Sequence, residues 1–205
     1  MLIAFILLCA PVWASTDGSY FPIAGRAGGE GVAAFEAQWY GASLRRMNEP
    51  HLPEVAKDLS AEVYRMTILP TWGNTIVVRV QKHGDVYSLS ARRLGGQAGF
   101  DPGKLAEAKD IALSADDSKA LDVLIQNLNF FQFPTDDGVM GVDGDEWILE
   151  GVSQGKYHVA QRWCASEQHY NPQKRGLAAF LAFCKFLVDK STLSQRPTNK
   201  GHRLI

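Results

Sequence analysis

Apolar and polar residues alternate most clearly in two runs, 75–82 and 85–94, on either side of His83-Gly84. A two-residue connection containing glycine supplies the positive φ that a tight hairpin turn needs. Pairing Lys82 with Asp85 sets Val80 opposite Tyr87, Val78 opposite Leu89 and Ile76 opposite Ala91. One face is then wholly apolar, and Val77, Arg79, Gln81, Val86, Ser88, Ser90 and Arg92 lie on the other. A slip by one residue would carry Arg79 and Arg92 into the core, so the facing is strongly specified.

Elsewhere the period changes. Val32, Phe35, Trp39 and Ala42 recur at helical spacing, and the helix they mark stops before Pro50. Residues 62–68 read as a strand with imperfect alternation, and 105–112 as a weaker one after a Gly-rich connection. Ser114, with Asp117 three residues on, is close to a capping box. The helix it opens carries Leu121, Leu124, Ile125 and Leu128 and ends before Pro134. A second hairpin joins 146–152 to 156–164 through Ser153-Gln154. A last helix after Pro172 lays Leu177, Phe180, Leu181, Cys184, Leu187 and Val188 on one stripe. Helix, strand meander, helix, hairpin, helix is an α+β order: an antiparallel sheet of about six strands in a single domain, packed on one face by three helices. No internal repeat is present, which excludes a solenoid.

The chain begins MLIAFILLCAPVWA, uncharged and apolar from Leu2 to Ala10, and closes on Val12-Trp13-Ala14 before Ser15. This is the form of a secretory leader cleaved after Ala14, although no Lys or Arg precedes the apolar run. The run is about half the roughly 20 residues a membrane-spanning helix needs, so the mature chain is expected to carry no transmembrane helix. Leu8 before Cys9 argues against lipidation, since a small residue normally stands there. The organisation expected is a signal peptide over 1–14, an irregular lead-in over 15–30, one domain over 31–193 and a frayed polar tail over 194–205. The expected location is periplasmic or secreted.

Charge narrows the partners. The chain holds 21 basic and 22 acidic residues, a net charge of −1, which points to neither nucleic acid nor an anionic membrane. Past the leader two cysteines remain, Cys164 and Cys184. In an exported chain a pair reads first as a disulfide, worth about 3 kcal/mol for a loop of this length.

Motifs for chemistry are weak. The 99–104 stretch ends in Gly-Lys, but Ala98 stands where a phosphate loop needs its first glycine and Leu105 replaces the hydroxyl residue. The acidic loop holds Asp136, Asp137, Asp143 and Asp145 among glycines, a composition that suits calcium but matches no EF-hand spacing and is explained by turn chemistry alone. The second hairpin concentrates Trp147, Glu150, Tyr157, His158, Arg162 and Trp163. Glu150, His158 and Arg162 are the candidates for an acid/base site. The register set by Ser153-Gln154 nevertheless places Glu150 and His158 on opposite faces and sets Arg162 against Asp145 as a cross-strand ion pair. Arg65, Arg79, Arg92 and Arg93 are expected on the solvent side of the sheet, where Arg79 and Arg92 would meet an acidic partner. No cofactor is indicated.

Taken together, Trp39-Tyr40 with Glu49-Pro50, Tyr64-Arg65, Ile76-Val77-Val78-Arg79-Val80, Trp147-Ile148-Leu149-Glu150-Gly151, Tyr157-His158 and Arg162-Trp163 resemble a family of uncharacterised exported bacterial proteins. The Trp…Glu-Gly…Tyr-His…Arg-Trp hairpin is the most specific part. The resemblance implies export from a bacterium and carries no activity. The reading expected is a non-enzymatic envelope protein that binds another protein, of inhibitor or immunity type. The rivals are an envelope hydrolase working around Glu150, His158 and Arg162, and a calcium-stabilised module.

Overall fold

The computed structural model describes residues 19–24 and 31–194. The expected leader over 1–14, most of the expected lead-in and the tail past Ser194 lie outside the described residues. Among the described residues, no helix is long and apolar enough to cross a membrane.

Six strands form one antiparallel sheet: β1 (Glu62–Pro70), β2 (Ile76–His83), β3 (Val86–Leu94), β4 (Leu105–Ala112), β5 (Asp145–Ser153) and β6 (Lys156–Trp163). Their spatial order is β4-β3-β2-β1-β5-β6. The β1–β4 meander grows one way from β1, and the β5–β6 hairpin adds to its other side. The helices are α1 (Ala34–Arg46), the one-turn α2 (Leu52–Val55), α3 (Ala115–Leu128) and α4 (Ala178–Ser191). The α+β class and the antiparallel six-stranded sheet are as the sequence pattern indicates.

Both hairpin registers differ from expectation by two residues. The first closes at His83↔Val86, so Val80 faces Leu89 and Lys82 faces Tyr87. The second closes at Ser153↔Lys156, so Glu150 faces Val159 and Trp147 faces Arg162. The reason is turn chemistry. Gln154 and Gly155 have φ 51° and 74°, the two positive angles of a type I′ turn, and Gly84 has φ 61°. A shift by two keeps every side chain on its face, so the division into faces survives the wrong partners.

The sheet is covered on both sides rather than one. On one side α3 and α4 bury Leu121, Leu128, Phe180, Phe183, Cys184 and Leu187 against Met66, Val78, Leu89, Trp147 and Leu149. On the other, α1 and the segment holding Tyr20, Phe21 and Val32 pack over Leu69, Val77, Ile148 and Val159. The small α2 cluster closes the same side over Val63 and Val152. Strands β1 and β5, buried along nearly their whole length, are therefore core strands. Helix α1 is also rotated from its expected phase: Ala37, Tyr40, Gly41 and Leu44 point inward, and Phe35 is 74% exposed.

Helix α3 starts as expected, with Ser114 Oγ accepting from the Asp117 N–H at 3.1 Å. It stops at Asn129, whose left-handed φ of 46° turns the chain into Phe130–Gln132. Phe130 then lies on Gly151, where a Cβ would sit 2.7 Å from the ring.

The disulfide is not formed. Cys164 and Cys184 are both buried free thiols. Cys184 lies inside the cluster between sheet and α4. Cys164 lies past the end of β6 against Gly144, at φ 44°. Each side chain is enclosed by different neighbours, and burial pushes the Cys164 thiol up to about 12.

Candidate functional site

One row of side chains crosses the sheet on the α1 side. The registers align Val159, Glu150, Arg65, Arg79, Ser90 and Asp110 from β6 to β4. Two arginines directly opposite each other would repel. Carboxylates from two directions neutralise them. Glu150 accepts from Arg65 Nε and Nη2, each at 2.8 Å, in a bidentate pair with both side chains wholly buried. Glu49, in the loop after α1, lies above the row and accepts from Arg79 Nε at 2.9 Å, with Arg65 Nη1 3.6 Å away.

The remaining polar groups complete this network. Tyr157 donates its hydroxyl to Glu150 Oε1 at 3.0 Å, and Arg65 Nη1 donates to the Pro50 carbonyl at 2.6 Å. Tyr20 lies over the Arg65 guanidinium, donates to the Glu49 carbonyl and stacks on His51 at 3.9 Å. Burial opposes charge on Arg65, but Glu150 and Glu49 outweigh it and hold the guanidinium protonated. Two positive and two negative groups balance, which is what a buried charge cluster requires.

The other candidates of the second hairpin lie on the opposite side of the sheet. His158 is buried, edge-on to Phe130 at 4.9 Å, with Nε2 donating to the Phe133 carbonyl at 2.7 Å. Arg162 lies 4.4 Å from the centre of the Phe133 ring and donates to the carbonyls of Pro134 and Thr135 at 2.6 and 3.0 Å. Its carboxylate neighbour is Asp137 at 3.6 Å, not Asp145 as the expected register had it. Both side chains pin the 133–137 segment to β6. Glu150 stays apart from them, as its facing dictates.

The four aspartates of the acidic loop do not converge. Asp137 is bound by Arg175, which donates to both its oxygens and to the Trp163 carbonyl. Asp136 accepts from Gln161 Nε2 at 2.9 Å and from the Gly138 N–H. Asp143 is exposed, and the largely buried Asp145 carboxyl is pushed up by desolvation. Among the described residues, no group of three or more His, Cys, Asp or Glu is placed to hold a metal ion.

The arginines expected on a solvent face are engaged. Arg79 is held by Glu49, and Arg92 donates to Asp110 at 2.8 Å and to the Lys109 carbonyl at 2.7 Å. Arg65 is fully buried, and Arg93 pairs with Glu107 on the α3/α4 side of the sheet.

Among the exposed apolar side chains of the described residues, the large aromatic ones, Trp72, Phe100 and Phe35, gather toward one end of the sheet. The β1–β2 and β3–β4 loops and the loop entering β5 all open there. Trp72 and Phe100, 45% and 66% exposed, face each other with ring centres 4.9 Å apart. The Phe100 loop is tied to α1 by Trp39 Nε1 donating to the Ala98 carbonyl and by Arg46 donating to Asp101 and the Gly103 carbonyl. Phe35 continues the surface beyond Trp39, at 6.1 Å. Met140 and Val142 add exposed apolar atoms from the β5 loop, which Thr71 holds through the Gly144 backbone. Sequence reading did not pick out this surface, nor Glu49 or Arg175 as ion-pair partners. Its one signal was a Trp and a Phe inside Gly-rich turns, where no core position calls for them.

The chain matches no protein-family model, no curated protein sequence and no solved structure.

Proposed function

We propose that this chain is an exported, non-enzymatic binding protein, of inhibitor or immunity type, that meets another protein of the cell envelope through the aromatic end of its sheet. The observation that carries the reading is the surface formed by Trp72, Phe100, Trp39 and Phe35. Exposed aromatic pairs gathered on one end of a folded domain mark an interaction site, and tryptophan dominates the energetics of such contacts. Trp72 and Phe100 stand on loops anchored by backbone and side-chain hydrogen bonds, and Trp39 and Phe35 on helix α1, so little ordering entropy is lost on docking. The polar groups expected to do chemistry are instead committed to internal pairs. Export rests on the leader-like start of the sequence, MLIAFILLCAPVWA.

The test compares capture from an envelope extract by the wild-type chain with capture by Trp72→Ser and by Phe100→Ser, both checked for an unchanged melting temperature. A defined protein retained by the wild type and lost by both variants supports the reading. An identical set of retained proteins for all three refutes it.

A further inference from the structure

Three carboxylates gather on the α1 side of the sheet, at its β5–β6 flank, from three parts of the chain. Glu36 comes from the first turn of α1, Asp136 from the segment before β5, and Glu146 from the second position of β5. Gln161 of β6 stands between the first two. Its Nε2 donates to Glu36 Oε1 at 3.3 Å and to Asp136 Oδ2 at 2.9 Å, so one neutral amide separates two carboxylates. The other oxygen of Glu36 accepts from the Ala33 N–H at 2.9 Å, which fixes that side chain in place.

Glu146 is the group with an unmet need. It is 9% exposed, yet among the described residues its carboxylate has neither a hydrogen bond nor an ion pair. Buried polar groups normally carry a partner, so an acceptor is left over here. The charged groups that face it share its sign: Glu36 from α1, Asp136 and Asp137 from the segment before β5, and Asp145 beside it. Burial first, and then those four, push the Glu146 carboxyl up to about 8. Tyr40 of α1 points to the same place; after burial, Glu146, Glu36 and Asp136 push its hydroxyl up. The nearby cations are engaged elsewhere. Arg175 holds Asp137, and Arg162 lies on the opposite face of the sheet against backbone carbonyls.

A donor-rich cation would meet this need. Among the described residues no three such groups are placed to hold a metal ion. A guanidinium has different demands: it is flat, carries five N–H donors and no acceptor, and pairs bidentately with carboxylates. It fits where the Gln161 amide bridges Glu36 and Asp136, with the charge of Glu146 below. Asp136 is exposed and Glu36 half-exposed, so the position opens to solvent. Phe35 precedes Glu36, and Met140 and Val142 follow Asp136, so exposed apolar side chains flank the carboxylates.

We infer that Glu36, Asp136 and Glu146 form an anchor for an arginine side chain of the partner protein, at the α1 flank of the aromatic docking surface. The inference rests on the protein-binding reading above and names the chemistry of the partner. Opposite charge across such a contact steers the approach and fixes its register.

The experiment is a carbon-detected NMR titration of the full chain, followed at the side-chain carbonyl carbons of Glu36, Asp136, Glu146 and Gln161. The probe is N-acetyl-argininamide, with N-acetyl-citrullinamide as its uncharged counterpart. Expected is a saturable shift with the arginine probe alone, tighter binding at about pH 9 than at about pH 6 as Glu146 loses its proton, and affinity weakened at least about tenfold in Glu36→Gln with Asp136→Asn. The Glu36→Gln change leaves an acceptor for the Ala33 N–H, so α1 keeps its cap. Glu146→Gln should match the wild type at the lower pH and bind more weakly at the higher. Absence of a saturable shift overturns the inference. So does an equal response to the citrulline probe, an affinity that is the same at both pH values, or one that the double variant leaves unchanged. Should the double variant fail to fold, the exposed Asp136→Asn alone decides. The probe does not depend on Trp72 or Phe100, so its failure strikes this anchor and leaves capture through the aromatic end to its own test.

Discussion

Removing half of the Arg65–Glu150 pair is the sharpest test of how the sheet is held together. Both side chains have no solvent exposure, and Glu150 supplies two charge-assisted bonds to Arg65 at 2.8 Å. In Glu150→Gln the guanidinium keeps only Glu49, 3.6 Å away and already engaged by Arg79. An uncompensated buried charge costs about 3–5 kcal/mol. For a domain of this size that lowers the melting temperature by roughly 6–20 °C. The double variant Arg65→Met with Glu150→Leu removes both charges together and leaves Glu49 its partner Arg79. It should cost less than the two single changes added, with a coupling of about 1–3 kcal/mol. Urea unfolding of the wild type, Arg65→Met, Glu150→Leu and the double gives all four corners of the cycle. A single variant that loses under about 1 kcal/mol, or a double that equals the sum of its parts, would refute the pair as a buried, coupled unit.

Four further outcomes are expected. Gly151→Ala forces a methyl against the Phe130 ring and should destabilise by about 1–3 kcal/mol in denaturant titrations, whereas Gly138→Ala, where nothing lies within 4 Å, loses only the cost of its positive φ. Cys164 and Cys184 should both alkylate in denaturant without any reductant and resist alkylation in the native state; a mass showing two fewer hydrogens before reduction would contradict this. Ser114→Ala, which strips the cap from α3, should cost about 1 kcal/mol by thermal melting. Glu146 is pushed up to about 8 by burial and by Glu36, Asp136, Asp145 and Asp137 around it. Its folded state therefore binds the proton more tightly than the unfolded chain does. The associated stability is complete below the ordinary carboxyl range and is lost as pH rises toward about 8. Stability curves of the wild type and Glu146→Gln should diverge by at most about 1.4 kcal/mol per pH unit across that window, and parallel curves would sink the assignment.

Most of the fold was legible because its signals are local. Ser114 capping α3, the stripe on α4 and the alternation of β2 and β3 each need only neighbours in sequence to be read. The hairpin registers were half legible. The period of two fixed which residues share a face, but the partner of each depends on where the turn closes. Gln154-Gly155 and Gly84-Asp85 were passed over for pairs one position earlier. A glycine second in the turn, with a residue tolerant of positive φ before it, was the available clue at Gln154-Gly155.

The site was less legible, for a physical reason. Alternation assigns a strand's charged positions to water, and this assumption placed Arg65 and Arg79 on a solvated face. The same strands held the contrary sign. Val63 and Leu69 share Arg65's face, and Ile148 and Val152 share that of Glu150, so β1 and β5 are apolar on both sides, as fully covered strands are. A charge on a covered face must be paired, and Glu150 was the acidic residue in range along the row. Glu49 was beyond reach of any periodic argument, because a loop carries it over the sheet from outside the ladder. The same reasoning explains why the conspicuous Tyr-His…Arg-Trp hairpin invites an acid/base reading it does not support. Tyr157 belongs with Glu150 on one side, while His158 and Arg162 bind backbone carbonyls on the other. Such residues look functional in sequence because polar groups inside a core are costly unless their partners are specified, and specification of that kind reads much like a site.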